Sequence, residues 1–531
     1  MKKILAFTMI VMIIFLGISI ERDISVVDNK NPYDQYINYN MAANPENLKL
    51  TATNYVREKD LLINLFQGLV KEDENGKIVG ALAEEFQVSE DGLEYNFKLR
   101  DNIYYSTGSK ITSKDFVDFF KSFLDDESNI YRSDLDFIYG VKDYREGRID
   151  FSQVAIISKD DMLTIRLNNP CPYFLEILSH PIYVLRDYEK LNNYKNRYNE
   201  IRYTGPFIIK SVLGDEVILS KNERYYNSKN ITDEEIRISF IDSAENALAI
   251  FEDTENKTGN KVDVMMDVPV NEVYRLKKQN MIKSFAGNES LFLSFNDSEE
   301  RISGDIKFRI AVKDSLNREV CSESISESLL NTVYSSVEAE GKTLEVFKPQ
   351  FEGNAKKYFK DLNKERNSKI IVIYEDKSLQ RRVAKELCEE LSKATGMEFE
   401  PMAYSSEEIK NVIEAGEYDI CISSFQYKYE GEFEYLNQLA AAQGNEECKD
   451  KVHKTLYIMD EDERNTVFEE CEQILSEKLS QIPLYEVNNV ICYKNEFSGF
   501  YVNKRGNIDL EMIKRVRWGS YSFKFINKLE I

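Results

Sequence analysis

Between Lys369 and Phe425 the chain alternates short apolar runs with helix-type segments, and no other feature restricts its fold as much. "KIIVIYED" reads as a buried-type strand from residue 369, and Val383, Leu387 and Leu391 mark a helix closed by Gly396. "MEFEPM" is the next strand, Ser405-x-x-Glu408 opens a second helix, and "EYDICISSF", residues 417 to 425, is a third strand. A βαβαβ order implies a parallel sheet with right-handed crossovers. In such sheets ligands sit beyond the carboxyl ends of the strands, at the crevice between halves. For the last strand that end is Ser423, Ser424 and Phe425, followed by the loop "QYKYEGEF".

A second unit of the same kind comes earlier: Ile236–Ile241 as a strand, Ser243–Glu252 as a helix and Val262–Met266 as another strand. Ahead of it the rhythm changes. In "FQVSEDGLEYNFKLRDNIYYSTGSKITSKDFVDFF", Leu93, Tyr95, Phe97 and Leu99 alternate with polar residues, and Asp91-Gly92 supplies a hairpin turn. Phe116, Phe119, Phe120 and Phe123 then fall at helical spacing behind Thr112 and Asp115, a weaker form of the capping box. Strand and helix each have one side to bury, and the simplest solution buries them on each other. The aromatics are therefore expected to be core. Two open α/β units preceded by a hairpin-rich region suggest lobes facing a cleft.

The chain of 531 residues is too long for one ordinary core. Its net charge of -23 excludes a basic stripe for nucleic acid and argues against adsorption to an anionic membrane surface. The seven cysteines are scattered and form no Cys-x-x-Cys pair, so neither a zinc site nor a disulfide framework is indicated. Only His180 and His453 supply imidazole. No metal site and no cofactor are expected. "MKKILAFTMIVMIIFLGISI" joins two lysines to an apolar run from Ile4 to Ile20, the pattern of a secretory signal or an uncleaved N-terminal anchor. Either way the body of the chain lies outside the cytoplasm, with contact to the membrane only through residues 1–22.

Six blocks in order resemble the extracytoplasmic solute-binding proteins of family 5, the peptide, dipeptide and nickel receptors of ABC importers. They are "LFQGLV" (65–70), "ALAEEFQVSEDGLEYNFKLRDNIYYSTGSKITSKDFVDFF", "YTGPFIIKSVLGDEVILSKNERYYN" (203–227), "IKFRIAVKDSLNREV" (306–320), "GEYDICISSFQYKYEGEFEYLN" and "IPLYEVNNVICYKNEFSGFYVN". The resemblance implies a periplasmic-binding-protein-like α/β fold: two open lobes around a cleft, with an inserted α+β domain. By that reading residues 30–55, 196–280 and 491–531 form the first lobe, 56–195 the inserted domain carrying the family signature, and 285–490 the second lobe. The signature stretch would then be scaffold that touches no ligand.

The resemblance also implies function: a monomeric, non-catalytic receptor that closes on a small solute, a peptide first, and delivers it to an ABC permease and ATPase. Its ligand-contacting residues would be Ser423, Ser424, Phe425, Gln426, Tyr427, Lys428, Tyr429 and Glu430. In oligopeptide-binding relatives an aspartate in this loop anchors the peptide ammonium, within an aromatic-x-x-Asp-Tyr motif. Here Phe425, Lys428 and Tyr429 take those places. A fixed ammonium at 428 would repel a peptide N-terminus. Three readings stay open: Glu430 or Glu432 takes over the anchor, the ligand presents an anion to Lys428, or the loop leaves Lys428 solvated. No cysteine precedes Cys171, so the lipid attachment usual for such receptors in single-membrane bacteria is not supported. Rival readings are a binder of another solute, an exported signalling or adhesion module, and a hydrolase built on Cys171 and His180. The last lacks any identifiable orienting group or oxyanion hole.

Overall fold

The computed structural model describes residues 32–52, 56–232, 235–255, 259–333, 338–339, 342–343, 355–366, 369–427 and 433–516. The N-terminal signal or anchor, the 428–432 part of the candidate loop and Trp518 lie outside the described residues. Among the described residues no helix is long and apolar enough to cross a membrane.

Eleven strands of the described residues form one sheet with two parallel wings. In one wing Ile370–Glu375 lies parallel to both Phe399–Tyr404 and Ile420–Gln426. The expected helices pack between them: Ser378–Thr395, ended by Gly396 at φ 74°, and Glu408–Ala415. Ser405 Oγ donates to the Glu408 carboxylate at 2.7 Å, and the Glu408 amide returns a bond to Ser405 Oγ at 3.3 Å. In the other wing Ile37–Met41 lies parallel to Glu235–Phe240 and Val264–Met265. The helix Ala244–Glu252, N-capped by Ser243, fills the crossover.

A long antiparallel pair, Ile282–Phe295 with Gln481–Tyr493, joins the wings. Residues 282–285 pair with 489–492 on the side of Val264–Met265, and residues 289–294 pair with 481–487 on the side of Ile420–Gln426. The register breaks between Phe285 and Glu289, where the sheet passes from one wing to the other. Gly287 sits in that break, and a Cβ there would lie 2.1 Å from the Val487 carbonyl oxygen. No side chain fits so close an approach of two backbones.

The hairpin is Ala83–Val88 with Glu94–Leu99, extended to four strands by Met162–Arg166 and Ile156–Lys159. Over it lies the helix Ser113–Asp125, whose Thr112–Asp115 capping box is complete. Its four phenylalanines are all buried, and Ser113 Oγ ties the helix to Ser158 and to the Asp160 carbonyl at 2.7 and 2.8 Å. The period change in the sequence is thus a helix closing on a hairpin, both apolar faces removed from water.

The apolar stretch Leu61–Val70 is divided between a helix and a strand. Glu58–Leu65 is helical, Phe66 is extended, and a strand begins only at Val70. Leu61, Leu62 and Leu65 share one buried helix face. The Thr-Gly-Pro segment packs against its end: Gly205 donates to the Leu65 carbonyl, and a Cβ on Gly205 would meet the Phe66 nitrogen at 2.5 Å. Thr204 Oγ1 accepts from the Gln67 amide and donates to the Leu185 carbonyl, both at 2.9 Å. Two blocks more than a hundred residues apart are one structural joint.

Candidate functional site

Two cavities lie where the wings, the crossing pair and the hairpin-bearing region meet. The larger encloses about 540 Å³ and the smaller about 240 Å³, and Asn288, Tyr427 and Arg505 line both. The register break supplies Ala286, Gly287 and Asn288 to the larger one. Their backbone is out of the ladder and bonds elsewhere: the Ala286 carbonyl accepts from Asn489 Nδ2 at 3.2 Å and the Asn288 carbonyl from the Tyr427 amide at 2.8 Å. Glu461, Arg464, Asn465 and Phe468, at i, i+3, i+4 and i+7 of the helix Glu461–Ser476, present one face to the same space. Glu72, Tyr173 and Glu176 come from the inserted region, and Glu486, Lys504 and Arg505 from the C-terminal part.

Several of these groups are held in place. Glu72 Oε1 accepts from Tyr501 Oη at 3.0 Å and from the Lys504 amide at 3.1 Å. Arg505 donates to the Glu176 carbonyl at 3.2 Å, with the Glu176 carboxylate 3.8 Å away. Arg464 grips the Ile458 and Met459 carbonyls at 3.0 and 2.9 Å and lies over the Tyr173 ring. The loop carrying Arg505 is set by Asp60, which accepts from Asn507 Nδ2 at 2.9 Å and the Ile508 amide at 3.2 Å. Tyr39 Oη also donates to Asp60 at 2.6 Å, and Arg57 stands 3.3 Å from its carboxylate. Burial pushes the Asp60 carboxyl up, against the pull of Arg57.

The residues expected at the strand end divide. Tyr427 lines both cavities and Gln426 the smaller one. Tyr427 is pinned to the register break: its amide donates to the Asn288 carbonyl, and Asn288 Nδ2 donates to the Tyr427 carbonyl, each at 2.8 Å. Gln426 Nε2 reaches Asn288 Oδ1 at 3.3 Å. Ser423, Ser424 and Phe425 line neither cavity. Ser423 Oγ bonds to Ser294 Oγ at 2.8 Å across the strand pair. Burial pushes the carboxyl of Glu289 up, against the opposing pull of nearby Ser424. Phe425 packs with Tyr427 and Tyr435. Lys428, Tyr429 and Glu430 lie outside the described residues. No residue from 86 to 120 lines either cavity.

Sequence reading missed Asn288, Lys59, Arg505 and the 461–468 helix face. Only the last carried a signal, a polar set at helical spacing. The pair Cys171 and His180 is not arranged as a nucleophile and base. Cys171 is fully buried and its thiol is pushed up to about 12 by burial, while His180 Nδ1 accepts from the Ile182 amide at 3.1 Å. All seven cysteines are buried thiols. Among the described residues no group of three His, Cys, Asp or Glu side chains could hold a metal ion.

Parallel wings joined through a crossing antiparallel pair, with cavities at the junction, define the class of hinged two-lobed binding proteins. The chain belongs to the bacterial extracellular solute-binding proteins, family 5, whose model matches residues 77–447. The oligopeptide-binding protein AliB of Streptococcus pneumoniae is 27% identical over 290 residues, covering 51% of this chain and 44% of AliB. The first curated relatives are thus matched over less than half of their length. The unliganded open form of MppA, a periplasmic murein tripeptide-binding protein, superposes with a TM-score of 0.72 at 18% identity, covering 91% of this chain and 98% of MppA. Haemophilus influenzae OppA in complex with RPPGFSPFR gives a TM-score of 0.67 at 17% identity, covering 91% and 99%. At such identities these structures establish the shared fold.

Proposed function

We propose that the protein is a non-catalytic receptor that captures a peptide between two lobes and delivers it to an ABC permease and its ATPase. The observation that carries this reading is the junction itself. Two adjoining cavities lie where the crossing strands break register, with Tyr427 lining both and Tyr173 the larger. A polar wall beside aromatic faces suits an extended peptide, which offers main-chain groups at every residue and side chains at alternate ones. The relatives' names point the same way: AliB is an oligopeptide-binding protein and MppA a murein tripeptide-binding protein.

The lobes are taken as 30–55 with 196–280 and 491–531, and 285–490, with 56–195 inserted, and closure would flex the crossing pair near Gly287. Residues 423–430 remain the proposed approach of the last parallel strand to the ligand, with Tyr427 and Gln426 making contact first. The receptor acts outside the cytoplasm as a monomer, secreted or held by its N-terminal segment. Native mass spectrometry of the full chain incubated with a mixed peptide library tests the proposal. One intact peptide retained per chain is expected. Retention of none, or release of shortened peptides, would overturn it.

A further inference from the structure

Lys59 stands in the first turn of the helix Glu58–Leu65 and lines the smaller cavity. It is 4% exposed, yet among the described residues its ammonium has neither a hydrogen bond nor an ion pair. The Tyr131 ring lies 5.5 Å from its Nζ to the centroid, and the Glu58 and Asp60 carboxylates act on the charge without forming an ion pair with it. Adjacent Asp60 forms no ion pair with it, its carboxylate being taken by Tyr39, Arg57, Asn507 and Ile508. The other cation on the wall, Arg505, is tied to Glu176, and Asn507 spends both amide hydrogens on Val56 and Asp60. Against these stands a single acid, Asp134, which forms no ion pair with Lys59.

A buried, unpaired ammonium is costly, and proteins retain one where a ligand supplies the counter-charge. Burial drives its pKa from the ordinary value down to about 8, against the opposing pull of the Glu58 and Asp60 carboxylates, so it is still charged at neutral pH. An anion arriving beside it would recover the interaction that water no longer provides, whereas a neutral group would leave the charge stranded. The space of about 240 Å³ admits one carboxylate-bearing group and adjoins the larger cavity at Asn288, Tyr427 and Arg505.

We propose that the smaller cavity is an anion subsite in which Lys59 receives a carboxylate of the bound peptide. The inference rests on the peptide reading and adds a preference to it: peptides that place an acidic group here are selected over uncharged ones. The carboxylate comes from the C-terminus or from an aspartate or glutamate side chain.

One peptide taken from the retained library, prepared as free acid, as C-terminal amide and as an amide carrying one added glutamate, distinguishes these sources by titration calorimetry. In the wild type the free acid should bind more tightly than the plain amide, and the glutamate-bearing amide recovers the affinity only if a side chain is the source. Lys59→Met should weaken the carboxylate-bearing forms by about 10- to 100-fold while leaving the plain amide unchanged. Lys59→Arg should keep the preference. Equal affinities for acid and both amides, or equal loss of all forms in Lys59→Met, would overturn the inference. If the wild type retains no peptide, the receptor reading falls, and succinate then decides the subsite. Thermal stabilisation by succinate, against sodium chloride of equal ionic strength, must appear in the wild type and vanish in Lys59→Met; otherwise the subsite falls too.

Discussion

Replacing Lys59 by methionine should make the unliganded protein more stable, and the size of the gain should depend on pH. The side chain is 4% exposed and its ammonium sits near 8 instead of 10.5, with burial as the leading cause. At about 1.36 kcal/mol per pH unit, that lowering corresponds to about 3 kcal/mol of penalty on the folded state. The sign follows from proton binding. Below pH 8 both folded and unfolded chains hold the proton and the full penalty stands. Between 8 and 10.5 the unfolded chain binds more protons than the folded one, so wild-type stability rises with pH. Methionine fills nearly the same volume without charge. Lys59→Met should therefore gain about 3 kcal/mol at pH 7 and less than half of that at pH 9.5. Urea unfolding of ligand-free protein at the two pH values reads both quantities. A variant no more stable than wild type at pH 7, or a gain that does not shrink by pH 9.5, would refute the claim that an unpaired charge is buried there. If the gain appears, the protein carries a stability cost at a wall of the cleft, which is where binding sites and stability most often conflict.

Three further outcomes are expected. Gly287→Ala forces a Cβ to within 2.1 Å of the Val487 carbonyl and should cost about 1–3 kcal/mol, read as a lower urea midpoint together with weaker peptide binding. Asp509, half-buried beside Glu511, has its carboxyl pushed up to about 6 by burial and then by that neighbour. The folded chain therefore binds more protons than the unfolded one between about pH 4 and 6, and stability should fall as pH rises through that window. Asp509→Asn should flatten the fall and gain about 1–2 kcal/mol at pH 7 in the same urea assay. Phe120→Ala, in the helix over the hairpin, should cost about 3–5 kcal/mol while the folded fraction keeps wild-type peptide affinity, because the residue is core and lines neither cavity.

Much of the local structure was legible in the sequence. Alternation at Tyr95, Phe97 and Leu99 and helical spacing at Phe116 to Phe123 are properties of neighbours along the chain, and each reports a face that must be buried. The 370–426 wing was legible for the same reason, down to the cap at Gly396. The stretch at 61–70 was less so, because a short continuous apolar run is compatible with helix or strand until its packing partner is known. That partner, Gly205, lies far along the chain.

The sequence by itself determined the periodicities, the parallel units, the acidic charge and the direction in which the last parallel strand points its loop. It led to Gln426 and Tyr427, which line the cavities, because strand ends are set by local order. Only the tertiary structure decided that Gly287 and Asn288 break the ladder between the wings, since that break depends on how the 282–295 strand meets the 481–493 strand. It also brought Lys59, Tyr131, His180 and Arg505 to one wall. Nothing in a lysine beside a glutamate and an aspartate distinguishes a solvated charge from a stranded one. Whether water reaches an ammonium is settled by the elements packed around it, and those are drawn from across the whole chain.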